Sequence, residues 1–85
     1  MKKLIINSNR IFNALGMRCP ETLMMLRKNI RSMQVGQKLL IITDDATAIR
    51  DFPIFCEFMN HSLINHKIKE IPYYFLIRKG SSHSP

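Results

Sequence analysis

The stretch Lys38–Thr43 reads KLLIIT, a continuous apolar run between a lysine and a threonine. Such a run is typical of a strand that is buried inside a parallel pairing. Asp44 and Asp45 follow at once, and their side-chain oxygens can cap a helix that begins at about Ala46. We therefore expect a buried strand that leads directly into a helix.

An amphipathic helix is predicted on each side of this strand. Before it, residues 20–33 carry apolar side chains at helical spacing: Leu23, Leu26, Ile30 and Met33. After it, residues 46–60 show the same spacing: Ile49, Phe52, Cys56 and Met59. Pro53 lies inside the second range and predicts a kink or break near Asp51. The turn after the first helix contains Gly36, which can adopt a positive φ.

Three further strands complete the prediction. Residues 11–15 form a short strand that ends at Gly16. Residues 63–70 alternate as a half-buried strand does, with one face formed by Ile64, His66 and Ile68. Residues 73–79 form the last strand and pair with the preceding one as a hairpin. The order β-α-β-α-β-β predicts an α/β (α+β) two-layer sandwich: a mixed four-stranded sheet, its first two strands parallel, with two helices on one face.

Length and composition limit the class of protein. The 85 residues suit one small domain, which we place at 11–79, between a poorly patterned segment 1–10 and a polar tail 80–85. No apolar run approaches the ~20 residues of a membrane span. The apolar stretch near the first residue is too short for the apolar region of a signal peptide. We therefore expect a cytoplasmic protein without membrane contact. The net charge of +7 favours anionic partners, which are RNA, acidic protein surfaces or phosphorylated ligands. The alternative is a basic surface that contacts only solvent.

The number and spacing of the cysteines and histidines do not predict a metal site. Cys19 and Cys56 are too few for a disulfide framework or a zinc site. Cys56 lies on the apolar face of the second helix, which predicts a core residue; the alternative is a second carrier or resolving thiol. The histidines, His61, His66 and His83, are scattered, so we expect no metal ion.

Most of the recognisable chemistry lies in residues 16–21, GMRCPE. Pro20 is favoured in the first turn of a helix, which places Cys19 at the N-cap or just before it. Free amides and the helix dipole favour an anion there, and the neighbouring Arg18 adds positive charge. A thiol so placed is expected to titrate below the ~8.5 of free cysteine and to react as the thiolate. The alternative is an inert buried cysteine.

These residues resemble the TusA (SirA-like) sulfur carriers. The likeness spans residues 11–79 and rests on residues 15–21 (LGMRCPE), the pair Met24 and Met25, and the stretches 42–45 (ITDD), 51–53 (DFP) and 72–80 (PYYFLIRKG). Family members usually carry Cys-Pro-x-Pro, and here Thr22 replaces the second proline.

The resemblance implies a carrier that works in a relay, not a stand-alone turnover enzyme. Cys19 would accept a sulfane sulfur from a cysteine desulfurase as a persulfide and pass it to a downstream sulfur-relay protein, with 2-thiouridine in tRNA as the end product. Relatives serve other sulfur-dependent pathways, so the acceptor stays open. We expect no cofactor, no direct tRNA contact and a monomer when free.

Exposed side chains near Cys19 are candidates for a docking surface. Met24 and Met25 are predicted to point away from the apolar stripe of the first helix. The basic residues on the same outer side, which contact either acidic partners or only solvent, are Arg27, Lys28 and Arg31. Arg18 and Pro20 are predicted to support Cys19. The predicted partner-binding residues are Glu21, Met24, Met25, Arg27, Arg31 and Asp45. The competing hypothesis is a small basic RNA- or protein-binding module. In such a module, the bases of the RNA would stack on Tyr73, Tyr74 and Phe75.

Overall fold

The computed structural model describes residues 8–80. The elements follow in the order β1 (Arg10–Asn13), α1 (Glu21–Arg31), β2 (Lys38–Thr43), α2 (Ala48–Phe58), β3 (Ser62–Lys67) and β4 (Tyr73–Arg78). The strands form one sheet in the order β1-β2-β4-β3, in which β1 is parallel to β2 and the other pairs are antiparallel. This confirms the predicted mixed four-stranded sheet with two helices.

The main core lies between one face of the sheet and the two helices. Its buried members come from β1, both helices, β2 and β4, and they include Phe12, Leu26, Ile30, Leu39, Ile41, Phe52, Cys56, Phe75 and Ile77. The rings of Phe52 and Phe75 meet edge to face, with centroids 4.8 Å apart. On the opposite face of the sheet, Leu40 and Leu76 are also buried and pack with Tyr74. The predicted burial of β2 is thus confirmed, and the structure shows that it holds on both faces of the sheet.

The helices are shorter than the sequence predicted. Helix α1 begins after Pro20 and ends at Arg31, and α2 begins at Ala48. The predicted break in the second helix is wrong, because α2 continues through Pro53. Pro53 lies on the exposed side of α2, where water can bond the carbonyl that loses its amide partner.

Strand β3 differs most from its prediction. It ends at Lys67, and Leu63 is its one half-buried residue, since the other five are exposed. A register shift between Leu63 and Asn65 inserts an extra residue into the pairing with β4. The shift places Leu63 and His66, three positions apart, opposite the core residues of β4, so the simple alternation expected for residues 63–70 is broken.

Cys56 is a core residue, as its helical position predicted. It is 3% exposed and packs in the main core, and burial raises the pKa of its thiol to about 12. A thiol with so high a pKa is almost entirely protonated at neutral pH, which disfavours a role as nucleophile.

We expect Cys56→Ser to lower the free energy of unfolding by about 1–3 kcal/mol, because the serine hydroxyl would be buried without a hydrogen-bond partner. Urea denaturation measures the change. The matched control is Cys19→Ser, which makes the same substitution at an exposed site and should stay within about 0.5 kcal/mol of the unsubstituted chain. Equal losses in the two variants would contradict the assignment of Cys56 to the core.

Candidate functional site

Cys19 is exposed in the loop that joins β1 to α1. This loop leaves the sheet at Ala14, whose amide donates a hydrogen bond to the carbonyl of Ile42 at 2.7 Å. It turns at Gly16, which has a φ of 87°, a conformation that favours glycine. Pro20 is the N-cap of α1 and follows Cys19 through a cis peptide bond. Cys19 therefore lies just before the helix, as predicted.

Two consecutive aspartates at the end of β2 hold this loop. Oδ1 of Asp44 accepts a hydrogen bond from the amide of Gly16 at 3.1 Å and an ion-paired one from the guanidinium of Arg18 at 2.9 Å. Oδ2 of Asp45 accepts a hydrogen bond from the amide of Cys19 at 2.9 Å. The backbone that carries the thiol is thus attached to β2 at both ends of the turn.

Asp45 lies inside the protein, in contrast to its predicted role as a partner contact. The residue is 6% exposed, and its Oδ1 accepts hydrogen bonds from the amide and the hydroxyl of Thr47 at 3.0 and 2.8 Å. Thr47 is the N-cap of α2, so Asp45 stabilises the turn before this helix instead of capping it directly. Its carboxylate holds the site together and leaves little surface for a partner.

Both anchoring aspartates have a pKa below the ordinary value of 3.8. For Asp45, burial alone would raise the pKa, but the hydrogen bonds from Thr47 and from the Cys19 amide outweigh it. For Asp44, the hydrogen bonds from Gly16 and Arg18 lower the pKa. Both groups are therefore ionised at neutral pH.

The sulfur of Cys19 has an acidic neighbour that the sequence pattern did not reveal. Its Sγ lies 3.8 Å from Oδ2 of Asp51, in the first turn of α2. Partial loss of water and the carboxylate of Asp51 raise the pKa of the Cys19 thiol above its ordinary value, with Asp45 adding to the effect and Arg50 opposing it. The predicted low pKa is wrong for the free chain.

The groups expected to lower that pKa are engaged elsewhere. The guanidinium of Arg18 pairs with Asp44, and its other hydrogen bond goes to the carbonyl of Met17. The first two amides of α1, from Glu21 and Thr22, donate to the carbonyl of Arg18 at 2.8 and 3.3 Å. The positive end of the helix is therefore partly satisfied within the loop instead of facing the sulfur.

A groove of about 460 Å³ lies between α1 and α2 beside this loop, and its lining includes Pro20, Met24, Arg27, Asp51, Ile54 and Phe58. Three of its apolar side chains are strongly exposed: Met24 at 64%, Ile54 at 58% and Phe58 at 85%. Sequence reasoning missed Ile54 and Phe58. The available signal was their spacing of four residues, which places an apolar pair on one helical face away from the core stripe.

The predicted partner-binding residues on α1 differ in exposure and in distance from Cys19. Glu21, Met24 and Arg27 are exposed in the first two turns of α1, near Cys19. Met25 is half-buried and packs against the main core, so the prediction that it points outward is wrong. Arg31 is exposed at the far end of α1, about 15 Å along the helix from Glu21.

The aromatic residues of β4 do not form a platform for bases. Phe75 is 1% exposed, and Tyr73 packs against the main core. Tyr74 is half-buried against Leu40 and Leu76 on the other face of the sheet. Because stacking on bases requires open aromatic faces, this arrangement disfavours the RNA-binding hypothesis.

Residues 8–80 contain no group of three or more histidine, cysteine, aspartate and glutamate side chains placed to hold a metal ion. In the same range, neither helix is long and apolar enough to cross a membrane. His61, one of the three histidines considered above, accepts a hydrogen bond at Nδ1 from the amide of Gly80. His83 lies outside the described residues.

The comparison with protein families identifies a matching family. A family model described as "Sulfurtransferase TusA" matches residues 10–79. The match runs from the first residue of β1 to the residue after β4, so it includes the loop of Cys19, both anchoring aspartates and the groove. Proteins of this family take part in sulfur relay together with other sulfur-transfer proteins.

We expect Asp45→Asn to lower stability at neutral pH, because it removes the charge that the amides of Cys19 and Thr47 stabilise. The pKa of Asp45 in the folded chain lies below its ordinary 3.8, so its contribution is complete above 3.8 and is lost as the pH falls through the lower, folded value. In urea denaturation, the difference from the unsubstituted chain should be constant near neutral pH and should narrow below 3.8.

The control for this experiment is Glu57→Gln, which removes one carboxylate from the exposed side of α2. Its effect should be small at every pH. A difference for Asp45→Asn that stays constant down to the lowest pH would show that the carboxylate acts only through its shape.

Proposed function

The chain belongs to the TusA family of sulfurtransferases, and on this premise we propose that it carries a sulfane sulfur as a persulfide on Cys19. The observation that supports the proposal most directly is the pair of thiol environments. Cys19 is exposed on a loop that hydrogen bonds hold in place, whereas Cys56 is buried in the core. A carrier thiol must reach the cysteines of two other proteins, and only an exposed one can do so.

The proposed reaction is a thiol exchange with no net oxidation. The thiolate of Cys19 attacks the outer sulfur of a donor's cysteine persulfide, the sulfur–sulfur bond of the donor breaks, and the donor cysteine leaves as a thiolate. The proton that Cys19 gave up returns to that thiolate. Cys19 then carries the persulfide, and the thiolate of an acceptor cysteine removes its outer sulfur in the same way.

The proposed donor is a cysteine desulfurase and the proposed acceptor is a downstream sulfur-relay protein, with 2-thiouridine in tRNA as the end product. The support is the family resemblance of residues 11–79. The chain acts in the cytoplasm in this proposal, where free thiols persist. Direct tRNA contact is not required in this proposal, and on β4 Phe75 is buried while Tyr73 and Tyr74 are only partly exposed. Another sulfur-dependent pathway is the alternative destination.

The groove between α1 and α2 is the proposed docking surface. It lies beside Cys19, and its exposed apolar residues are Met24, Ile54 and Phe58. Burial of such side chains stabilises a complex, while the charge of Arg27 at the groove and the net charge of +7 attract an acidic partner surface. A partner seated there can place its cysteine next to Cys19.

Cys19→Ser should abolish sulfur transfer and leave the fold intact, since a serine hydroxyl cannot form the persulfide. Transfer from a cysteine desulfurase is followed by mass spectrometry, as a gain of one sulfur on the peptide that contains Cys19, and the fold is checked by circular dichroism. The control, Cys56→Ser, should keep transfer. A Cys19→Ser variant that still transfers at the normal rate would refute the assignment.

Two substitutions in the groove should affect binding to a desulfurase differently. Arg27→Glu should slow association, and the defect should shrink as salt is added, because salt screens exposed charges. Phe58→Asp should instead raise the dissociation rate, because it removes apolar contact area. Binding kinetics on immobilised desulfurase distinguish the two effects.

The control is Arg78→Glu, which makes the same change of charge on the sheet face opposite the helices. In the strand register, Arg78 of β4 lies opposite Lys38 of β2. It should leave association nearly unchanged. If Arg78→Glu slows association as much as Arg27→Glu does, the effect comes from net charge and the groove is not the docking surface.

A further inference from the structure

The carboxylate of Asp51 contacts the sulfur of Cys19, and the relay chemistry above does not use it. Its Oδ2 accepts the hydrogen bond of the thiol, with a sulfur–oxygen distance of 3.8 Å. Its Oδ1 has a partner in Nε of Arg50 at 3.3 Å, but the Arg50 side chain is 76% exposed, against 20% for Asp51. Because an exposed ion pair is weak, Arg50 neutralises Asp51 only in part.

The groups around the sulfur are acidic on balance. Asp51 faces it from α2, and the buried Asp45 lies behind the amide of Cys19. Arg50 lowers the pKa of the thiol, whereas Arg18, next to Cys19 in the chain, pairs with Asp44. The sulfur therefore experiences negative charge on a chain whose net charge is +7.

We propose that Asp51 is a positioning residue that keeps Cys19 as a protonated thiol in the free carrier, and that a docked partner ends this restraint by placing a cationic side chain against Asp51. This inference rests on the proposed function. A protonated thiol is a poor nucleophile, so the free carrier resists unwanted oxidation and alkylation. In the loaded carrier the same carboxylate makes Cys19 a poorer leaving thiolate, so the sulfur stays in place until a partner binds.

The position of Asp51 identifies the kind of group that the partner supplies. Among the described residues that line the groove, Asp51 is the carboxylate and Arg27 is the cation. A partner segment that fits this surface has apolar side chains for Met24 and Phe58, an acidic group for Arg27 and a lysine or arginine for Asp51. That cation arrives at the same moment as the partner's cysteine, which couples activation of the thiol to docking.

The test for Asp51 needs no partner. The rate at which iodoacetamide alkylates Cys19 is measured against pH by mass spectrometry of the peptide that contains Cys19. In Asp51→Asn the inflection should move to lower pH, and the rate at neutral pH should rise several-fold. Asp51→Glu, which keeps the charge, should stay closer to the unsubstituted chain. The control is Glu57→Gln, which removes an exposed carboxylate from the same helix and should leave the inflection unchanged.

An unchanged inflection in Asp51→Asn, or an equal shift in Glu57→Gln, overturns the role of Asp51. If circular dichroism shows that Asp51→Asn does not fold, Asp51→Ser is the second neutral variant and the same outcomes apply. A residue that acted only on stability would not move the inflection of the thiol, so the pH profile separates the two roles.

The test for the partner uses single-turnover transfer from a cysteine desulfurase, again measured against pH. In the unsubstituted chain, the inflection for transfer should lie at lower pH than the inflection for alkylation of the free carrier. In Asp51→Asn the two should nearly coincide. Equal inflections in the unsubstituted chain overturn the activation by docking. Absence of all transfer overturns the proposed function instead, while the alkylation profile still decides the role of Asp51.

Discussion

The arrangement of the site depends on the two carboxylates at the end of β2. Asp44 and Asp45 accept hydrogen bonds from the amides of Gly16 and Cys19, which attaches the reactive loop to a strand that is buried on both faces. A buried carboxylate is costly unless hydrogen bonds satisfy it, and Asp45 accepts three, counting the amide and hydroxyl of Thr47. The carboxylate of Asp45 therefore both positions the loop of Cys19 and stabilises the turn before α2.

Two electrostatic effects of opposite sign act on this chain at different distances. The net charge of +7 acts over the whole surface and favours encounter with acidic partners. At the sulfur, Asp51 dominates because it lies 3.8 Å away, well within the Debye length of about 10 Å at 0.1 M salt. In the proposed mechanism, the basic carrier attracts its partner and still keeps its thiol protonated until that partner is in place.

Local patterns predicted the elements well and their ends less well. The run 38–43 appears as β2 with the predicted bounds, and the order of all six elements is confirmed. The errors occur where a tertiary contact competes with a local preference. Pairing with β4 shifts the register of β3, and an exposed position lets Pro53 remain inside α2. Met25 is half-buried because the core-facing side of α1 is wider than its apolar stripe indicates and also includes Thr22.

The sequence by itself determined the fold class, the place of Cys19 before a helix and the burial of Cys56, because each follows from residues close together in the chain. Only the tertiary structure decided which charges face the sulfur. Asp45 and Asp51 lie 26 and 32 positions from Cys19, and Arg18, its direct neighbour, pairs with Asp44 instead. The groove likewise needs side chains from two helices. A pKa depends on distances between groups in space, and local patterns do not contain those distances when the groups belong to different elements.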